Sequence, residues 1–198
     1  MAEFVLLKGK ELNDEQVEKI RQFDADAKAS DLAAHFLSYE PRTIFEVLQY
    51  LKKHEISDEA ANSAVSQLNE LGYLDDRQYA KLFIKNDLRV GSDGPKILLR
   101  KLTQKGVDPE ISQDKLDEID EEDWLEVGQR VIKSMSHQVG KISQRELERK
   151  MRTKLLTHGF DSGISNVIID AMDLKEDENA QTEALKKQGI KAYKRFRN

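Results

Sequence analysis

An all-α fold of tandem three-helix (helix-turn-helix-like) repeats, stacked into an elongated curved array, is what this sequence predicts. Three observations carry that expectation. Similar helix endings recur at nearly constant spacing. Helix-start and helix-stop residues fall where such repeats need them. No stretch beyond Phe4–Leu7 alternates as a strand would, and that run is too short to carry a sheet.

The recurring endings are Leu51 to Ile56 (Leu-Lys-Lys-His-Glu-Ile), Leu102 to Val107 (Leu-Thr-Gln-Lys-Gly-Val) and Leu155 to Phe160 (Leu-Leu-Thr-His-Gly-Phe), 51 and 53 residues apart. Around them the periodicity places helices near 24–39, 43–54 and 58–71, then 76–90, 95–105 and 109–118, then 122–137, 144–158 and 162–174. The repeats therefore span 24–75, 76–120 and 121–177. Residues 1–23 read as the remnant of an N-terminal extension. Residues 178–198, after the acidic joint Lys175–Asn179, read as the first helix of a truncated fourth repeat, with the helix itself over 180–197. A unit this small buries its apolar face poorly alone, so neighbours stack.

The punctuation supports each element in turn. Thr43 with Glu46, and Ser143 with Glu146, are capping boxes opening the second helix of repeats one and three. Repeat two opens its second helix with Gly94-Pro95, where the missing proline N–H costs nothing. Asp75 with Gln78 starts the helix after Gly72, and Asp108-Pro109 starts another. Gly72, Gly91, Gly106 and Gly159 fall where a helix should end on a left-handed residue. Trp124 reads as a packing anchor.

The composition suits this fold. Of 198 residues, 38% are hydrophobic and 35% charged, with three prolines, a make-up rich in charge yet apolar enough for a core. Cysteine is absent, which rules out disulfide and thiolate chemistry and suits a reducing cytosol. No apolar run approaches bilayer-spanning length, and no secretory pattern opens the chain. The expectation is a monomeric cytoplasmic protein without membrane contact.

Net charge is −5, but it is unevenly spread. Residues 30–76 sum to −6, whereas 77–105 and 130–158 each hold 8 basic and 2 acidic residues. Screening over roughly 8–10 Å lets a locally basic surface engage a polyanion despite acidic regions elsewhere. The basic residues fall in helical stripes. Arg145, Arg149 and Arg152 share one side of their helix, opposite Leu147, Met151 and Leu155. Lys96 and Arg100, with Lys101 beyond them, oppose Leu98, Leu99 and Leu102. Lys81, Lys85 and Arg89 run at four-residue steps beside Phe83. Carboxylates at the spacing that neutralises such faces are sparse. A row of cations suits an extended anionic partner, although nothing in it reads bases.

Catalytic chemistry finds no footing. His35, His54, His137 and His158 are scattered, and His54 and His158 stand near helix ends where a cation favours the dipole. Gly91-Ser92-Asp93-Gly94 lacks the lysine and the strand of a phosphate loop. Asp75-Asp76 is better read as a cap than as a carboxylate pair. No enzyme activity, metal or cofactor is implied.

The segment Leu71-Gly72-Tyr73-Leu74-Asp75-Asp76-Arg77-Gln78-Tyr79-Ala80 resembles the signature of the RecX family, bacterial regulators of the RecA recombinase. So do Leu37-Ser38 with Arg42-Thr43 and Glu46, Gly94-Pro95 before a basic amphipathic helix, and Leu102 with Lys105-Gly106-Val107. The matches run from about residue 27 to 177. Gly9-Lys10-Glu11-Leu12 and Ala184-Leu185 with Gln188-Gly189 resemble the family's longer form, with an N-terminal extension and a fourth repeat. The resemblance implies a curved array of three-helix repeats lying in the groove of the RecA–DNA filament. It also implies inhibition of RecA ATP hydrolysis, strand exchange and co-protease activity, hence a part in recombination, DNA repair and the SOS response. Single- and double-stranded DNA would be bound weakly. Arg42, Gly72, Tyr73, Asp75, Asp76, Tyr79, Ala80, Gly94, Pro95 and Gly106 would be structural signature positions. One departure is that Glu40-Pro41 precede Arg42 where the family often has a second basic residue. The first repeat is accordingly assigned to protein contact and the phosphate side to repeats two and three. The alternative is a stand-alone helical DNA-binding protein without direct RecA contact.

Overall fold

The structure is a computed structural model that describes residues 12–172 together with Lys186, Gly189, Ile190 and Tyr193. The Phe4–Leu7 run and the Gly9-Lys10-Glu11 match lie outside the described residues. So does the expected helix over 180–197, apart from those four positions, which are helical and exposed.

Every regular element among the described residues is a helix. In chain order they are α1 (Asp14–Leu37), α2 (Ile44–Lys53), α3 (Asp58–Glu70), α4 (Asp76–Val90), α5 (Pro95–Gln104), α6 (Pro109–Asp117), α7 (Glu121–Ile132), α8 (Gln144–Thr157) and α9 (Ser162–Asp170), with a 3-10 helix over Lys133–Gln138. The expected caps are in place, except that the Ser143–Glu146 box is only half formed, the Glu146 carboxylate pairing with Arg149 and Lys150 instead of the Ser143 N–H. Thr43 Oγ1 accepts from the Glu46 N–H while the Glu46 carboxylate takes the Thr43 N–H, at 3.1 Å each. Asp75 Oδ1 accepts from Arg77 and Gln78 N–H, Asp108 Oδ1 from Glu110 N–H and Ser143 Oγ from Glu146 N–H. Each such cap is worth about 1 kcal/mol.

Four expectations are corrected. Helix α1 begins at Asp14, not near 24, because Asn13 and Gln16 form a reciprocal capping box upstream of the apolar pattern. Helix α7 stops at Ile132 and continues as 3-10 turns, where Ser136 Oγ and the His137 ring bond back to the carbonyls of Lys133 and Ser134. Helix α9 ends at Asp170 rather than 174. Gly72, Gly106 and Gly159 are left-handed as expected, but Gly91 is not. Its missing Cβ leaves room instead for the Asp87 carboxylate. The left-handed position after α2 is held by Glu55, at φ 60°.

The chain forms two compact units. One comprises residues 1–80 with 103–111, and the other 81–102 with 112–198. In the first, α1 packs on α3 and α2. Its core joins Ala29, Ala33, Ala60, Ala61 and Ala64 to Val47, Leu51, Val65, Leu68 and Leu74. The alanines let the helices approach closely, and the larger side chains fill the space around them. In the second, α7, α8 and α9 pack pairwise. Ile84, Leu98, Leu102, Val127, Ile132, Leu147, Met151, Leu155, Phe160 and Ile168 are fully or almost fully buried. Trp124 anchors this core at 5% exposure, edge-on to Phe160.

Candidate interaction surface

Several of the residues expected as signature positions meet in a polar joint in the first unit. At the N-terminus of α2, Thr43 Oγ1 donates to the Lys105 carbonyl at 2.6 Å. The Lys105 ammonium returns to Glu46 Oε1 at 2.8 Å and stands 5.8 Å over the Tyr79 ring. The Ile44 N–H donates to Asp76 Oδ1 at 2.9 Å. Phe45 lies directly against Gly106, whose left-handed turn has no room for a Cβ. Arg42 lies 4.5 Å over Phe36 and pairs with Glu40, so its charge is largely spent at home. Ala80 is buried, Asp75 caps α4, and Gly72 turns the chain in open space. Tyr73 is 71% exposed and packs into no core.

Asp76 gives this joint a pH signature. Burial raises its carboxyl above the ordinary value, with Asp75 and Glu46 adding to the rise against the Ile44 hydrogen bond. A raised acid binds more protons folded than unfolded, so its contribution falls as pH climbs from 3.8 through the folded value. Asp76→Asn keeps the acceptor and removes the buried charge. It should hold or raise stability at neutral pH and flatten that acid-range fall. Asp76→Ala strands the Ile44 N–H and should cost about 1–2 kcal/mol. Urea unfolding as a function of pH checks both.

A second joint lies in the second unit, where the α4–α5 connection meets the turn after α8. Gly94 N–H donates to the His158 carbonyl at 2.6 Å and Lys96 N–H to the Gly159 carbonyl at 3.1 Å. A Cβ on Gly94 would stand 2.7–2.9 Å from Gly159 and Phe160 atoms, most of them backbone. Pro95 opens α5 as its first residue. His158 Nδ1 bonds the Ser92 carbonyl at 2.9 Å. Arg130, which sequence reasoning missed, donates to the carbonyls of Gly91 and Leu88. Its signal is invisible locally because those partners lie 39 and 42 residues away.

The basic stripes all belong to this second unit. Lys81, Lys85 and Arg89 stand on α4, Lys96, Arg100 and Lys101 on α5, and Arg145, Arg149 and Arg152 on α8. All are exposed except Arg152, which is half-buried. Their engagement differs. Arg149 grips both Glu146 oxygens, at 3.0 and 2.8 Å, and holds that carboxyl below its ordinary value. Lys101 pairs with Asp93, Arg152 bonds Asn166 at 3.0 Å and Arg89 bonds Asn86 at 3.3 Å. Lys81, Lys85, Lys96, Arg100 and Arg145 form no ion pair among the described residues. Among those residues no cluster of three or more His, Asp or Glu could hold a metal ion. No described helix is long and apolar enough to cross a membrane.

The family model for RecX, first three-helix domain, matches residues 29–68, which reach from the second half of α1 into α3. Regulatory protein RecX of Lactobacillus gasseri is 51% identical over 197 residues, covering all of this chain and 73% of the relative. The chain belongs to the RecX family. RecX of Lactobacillus johnsonii is 52% identical over the same span and that of Oceanobacillus iheyensis 32% over 196 residues, covering 72% of that relative. Among solved structures, RecX from Lactobacillus salivarius matches with a TM-score of 0.73 at 28% identity, over 77% of this chain and 99% of that one. A second RecX crystal structure matches with the same score at 27% identity, over 83% and 81%. The three-helix architecture read from the spacing of Leu51, Leu102 and Leu155 is thus the RecX fold.

Proposed function

We propose that this protein binds the RecA–DNA filament along its groove and inhibits RecA ATP hydrolysis, strand exchange and co-protease activity in the cytoplasm, within recombination, DNA repair and the SOS response. The reading joins membership of a family of regulatory proteins to one observation. That observation is the row of nine stripe cations in the second unit, five of which form no ion pair among the described residues. Lys81, Lys85, Lys96, Arg100 and Arg145 would meet phosphates or acidic side chains of the filament. Arg89, Lys101, Arg149 and Arg152 would contribute less, being already engaged. Repeat one, over 24–75, would serve protein contact, and repeats two and three, over 76–120 and 121–177, the phosphate side.

A net charge of −5 and an acidic first repeat oppose tight binding to bare DNA. Contact with several RecA protomers at once supplies the avidity that such a surface needs. The test is binding of a single fluorescently labelled monomer to RecA assembled on single-stranded DNA, to unassembled RecA, and to DNA alone. The filament should bind at least about tenfold more tightly than either component. Equal binding to bare DNA with a steep salt dependence would instead favour the stand-alone DNA-binding reading.

A further inference from the structure

Repeat one is acidic, yet its few cations are gathered in one place. Between residues 30 and 76 the chain holds nine Asp and Glu but only three Lys and Arg, namely Arg42, Lys52 and Lys53. All three line one groove of about 590 Å³ on the first unit, formed by the end of α1, the loop after it and the solvent face of α2. The helical period explains the grouping. Phe45, Gln49 and Lys53 recur at four-residue steps, on the side of α2 away from the buried Val47 and Leu51.

Much of the remaining lining is aromatic. Phe36 and Tyr50 stack with ring centroids 4.1 Å apart and planes 1° from parallel. Phe45 keeps 44% of its surface exposed although it also packs on Gly106. Lys52 and Lys53 are exposed and form no ion pair among the described residues. Arg42 lies over Phe36 and pairs with Glu40, but its Nε is buried without a hydrogen-bond partner among those residues. A buried donor left unpaired is costly, and an acceptor seated there would relieve it. Glu46, the one carboxylate in the lining, is already held by Lys105 and the Thr43 N–H.

We propose that this groove is a docking site for an acidic peptide segment that carries an aromatic or large aliphatic side chain. The apolar side chain would lie against Phe45 and the Phe36–Tyr50 stack. The carboxylates beside it would meet Lys52, Lys53 and the Arg42 guanidinium. The charge around the groove favours a peptide over nucleic acid. A nucleic-acid strand bears a phosphate at every step and would run on from the groove over a repeat whose net charge is −6. A peptide places its carboxylates only where the cations are. The proposal rests on the assignment of repeat one to protein contact and names the chemistry of that contact.

Fluorescence anisotropy on the whole chain tests this with the labelled peptide Gly-Asp-Glu-Phe-Asp-Glu-Gly. The comparisons are a counterpart with Ser in place of Phe, a counterpart with amides in place of the carboxylates, and a thymidine oligonucleotide of equal length. The acidic aromatic peptide should bind at least about tenfold more tightly than either counterpart. Lys52→Gln with Lys53→Gln should weaken it at least about fivefold with thermal unfolding unchanged, and raising salt should weaken it too. Absence of binding, equal binding of either counterpart, or binding that survives the lysine exchange overturns the proposal. Tighter binding of the oligonucleotide, or of a labelled second copy of this chain, lost on the same exchange, overturns it by naming another occupant. These measurements contain no RecA, so their failure would strike the groove and leave filament binding by the second unit's cations standing.

Discussion

Replacing Lys81, Lys85 and Arg100 together with glutamate should raise the concentration needed to inhibit RecA by about thirtyfold or more, with thermal unfolding unchanged. The three stand exposed on α4 and α5 and none forms an ion pair among the described residues. Reversal therefore breaks nothing within the fold. An exposed charge contact is worth up to about 1 kcal/mol, and reversal adds repulsion to the loss. Lys101→Gln and Arg149→Gln are the matched controls. Asp93 and Glu146 already hold these side chains, so removing them should change inhibition only a few-fold. Raising salt should shrink the difference between parent and triple variant, because the contacts lie in solvent. A triple variant that inhibits like the parent would remove the cation row from the account.

Gly94→Ala should be among the most destabilising single changes in the chain, at about 1–3 kcal/mol. The added Cβ would meet the Phe160 nitrogen at 2.7 Å and the Gly159 carbonyl carbon at 2.8 Å, and backbone cannot rotate away as a side chain does. The Gly94 N–H bond to His158 and the Lys96 bond to Gly159 would stretch together. Gly72→Ala separates conformation from crowding. Gly72 is left-handed at φ 76° with nothing near its Cβ position, so only the backbone penalty of about 1 kcal/mol applies. Urea unfolding of both variants checks the order. Near-equal losses would mean that the joint between the α4–α5 connection and the α8 turn is loose.

Local signals in the sequence proved sufficient for most helix starts. Thr43, Asp75, Asp108 and Ser143 cap from within four residues of their acceptors' partners, and Pro95 and Pro109 open helices by their own ring geometry. Contacts between residues distant in the chain leave no such local signal. Glycine at 106 signals a left-handed turn, yet only the packed structure shows Phe45 against it. Glu55 carries no local mark of its conformation, because the preference for glycine there is overridden by an otherwise complete helix-ending turn. The basic row was visible as stripes. Which of its members are spent was not, since Lys101 reaches Asp93 across the α4–α5 connection and Arg152 reaches Asn166 on the next helix. The Asn13–Gln16 capping box is seen only in the structure; from the sequence that helix reads as starting near 24, where the apolar pattern begins.

The central claim is regulation of an assembled filament, and DNA-dependent ATP hydrolysis by RecA on single-stranded DNA, titrated with this protein, tests it most directly. The account predicts a fall in hydrolysis at well below one copy per RecA protomer, because one bound copy would span several protomers. Hydrolysis that stays unchanged up to one copy per protomer would contradict it.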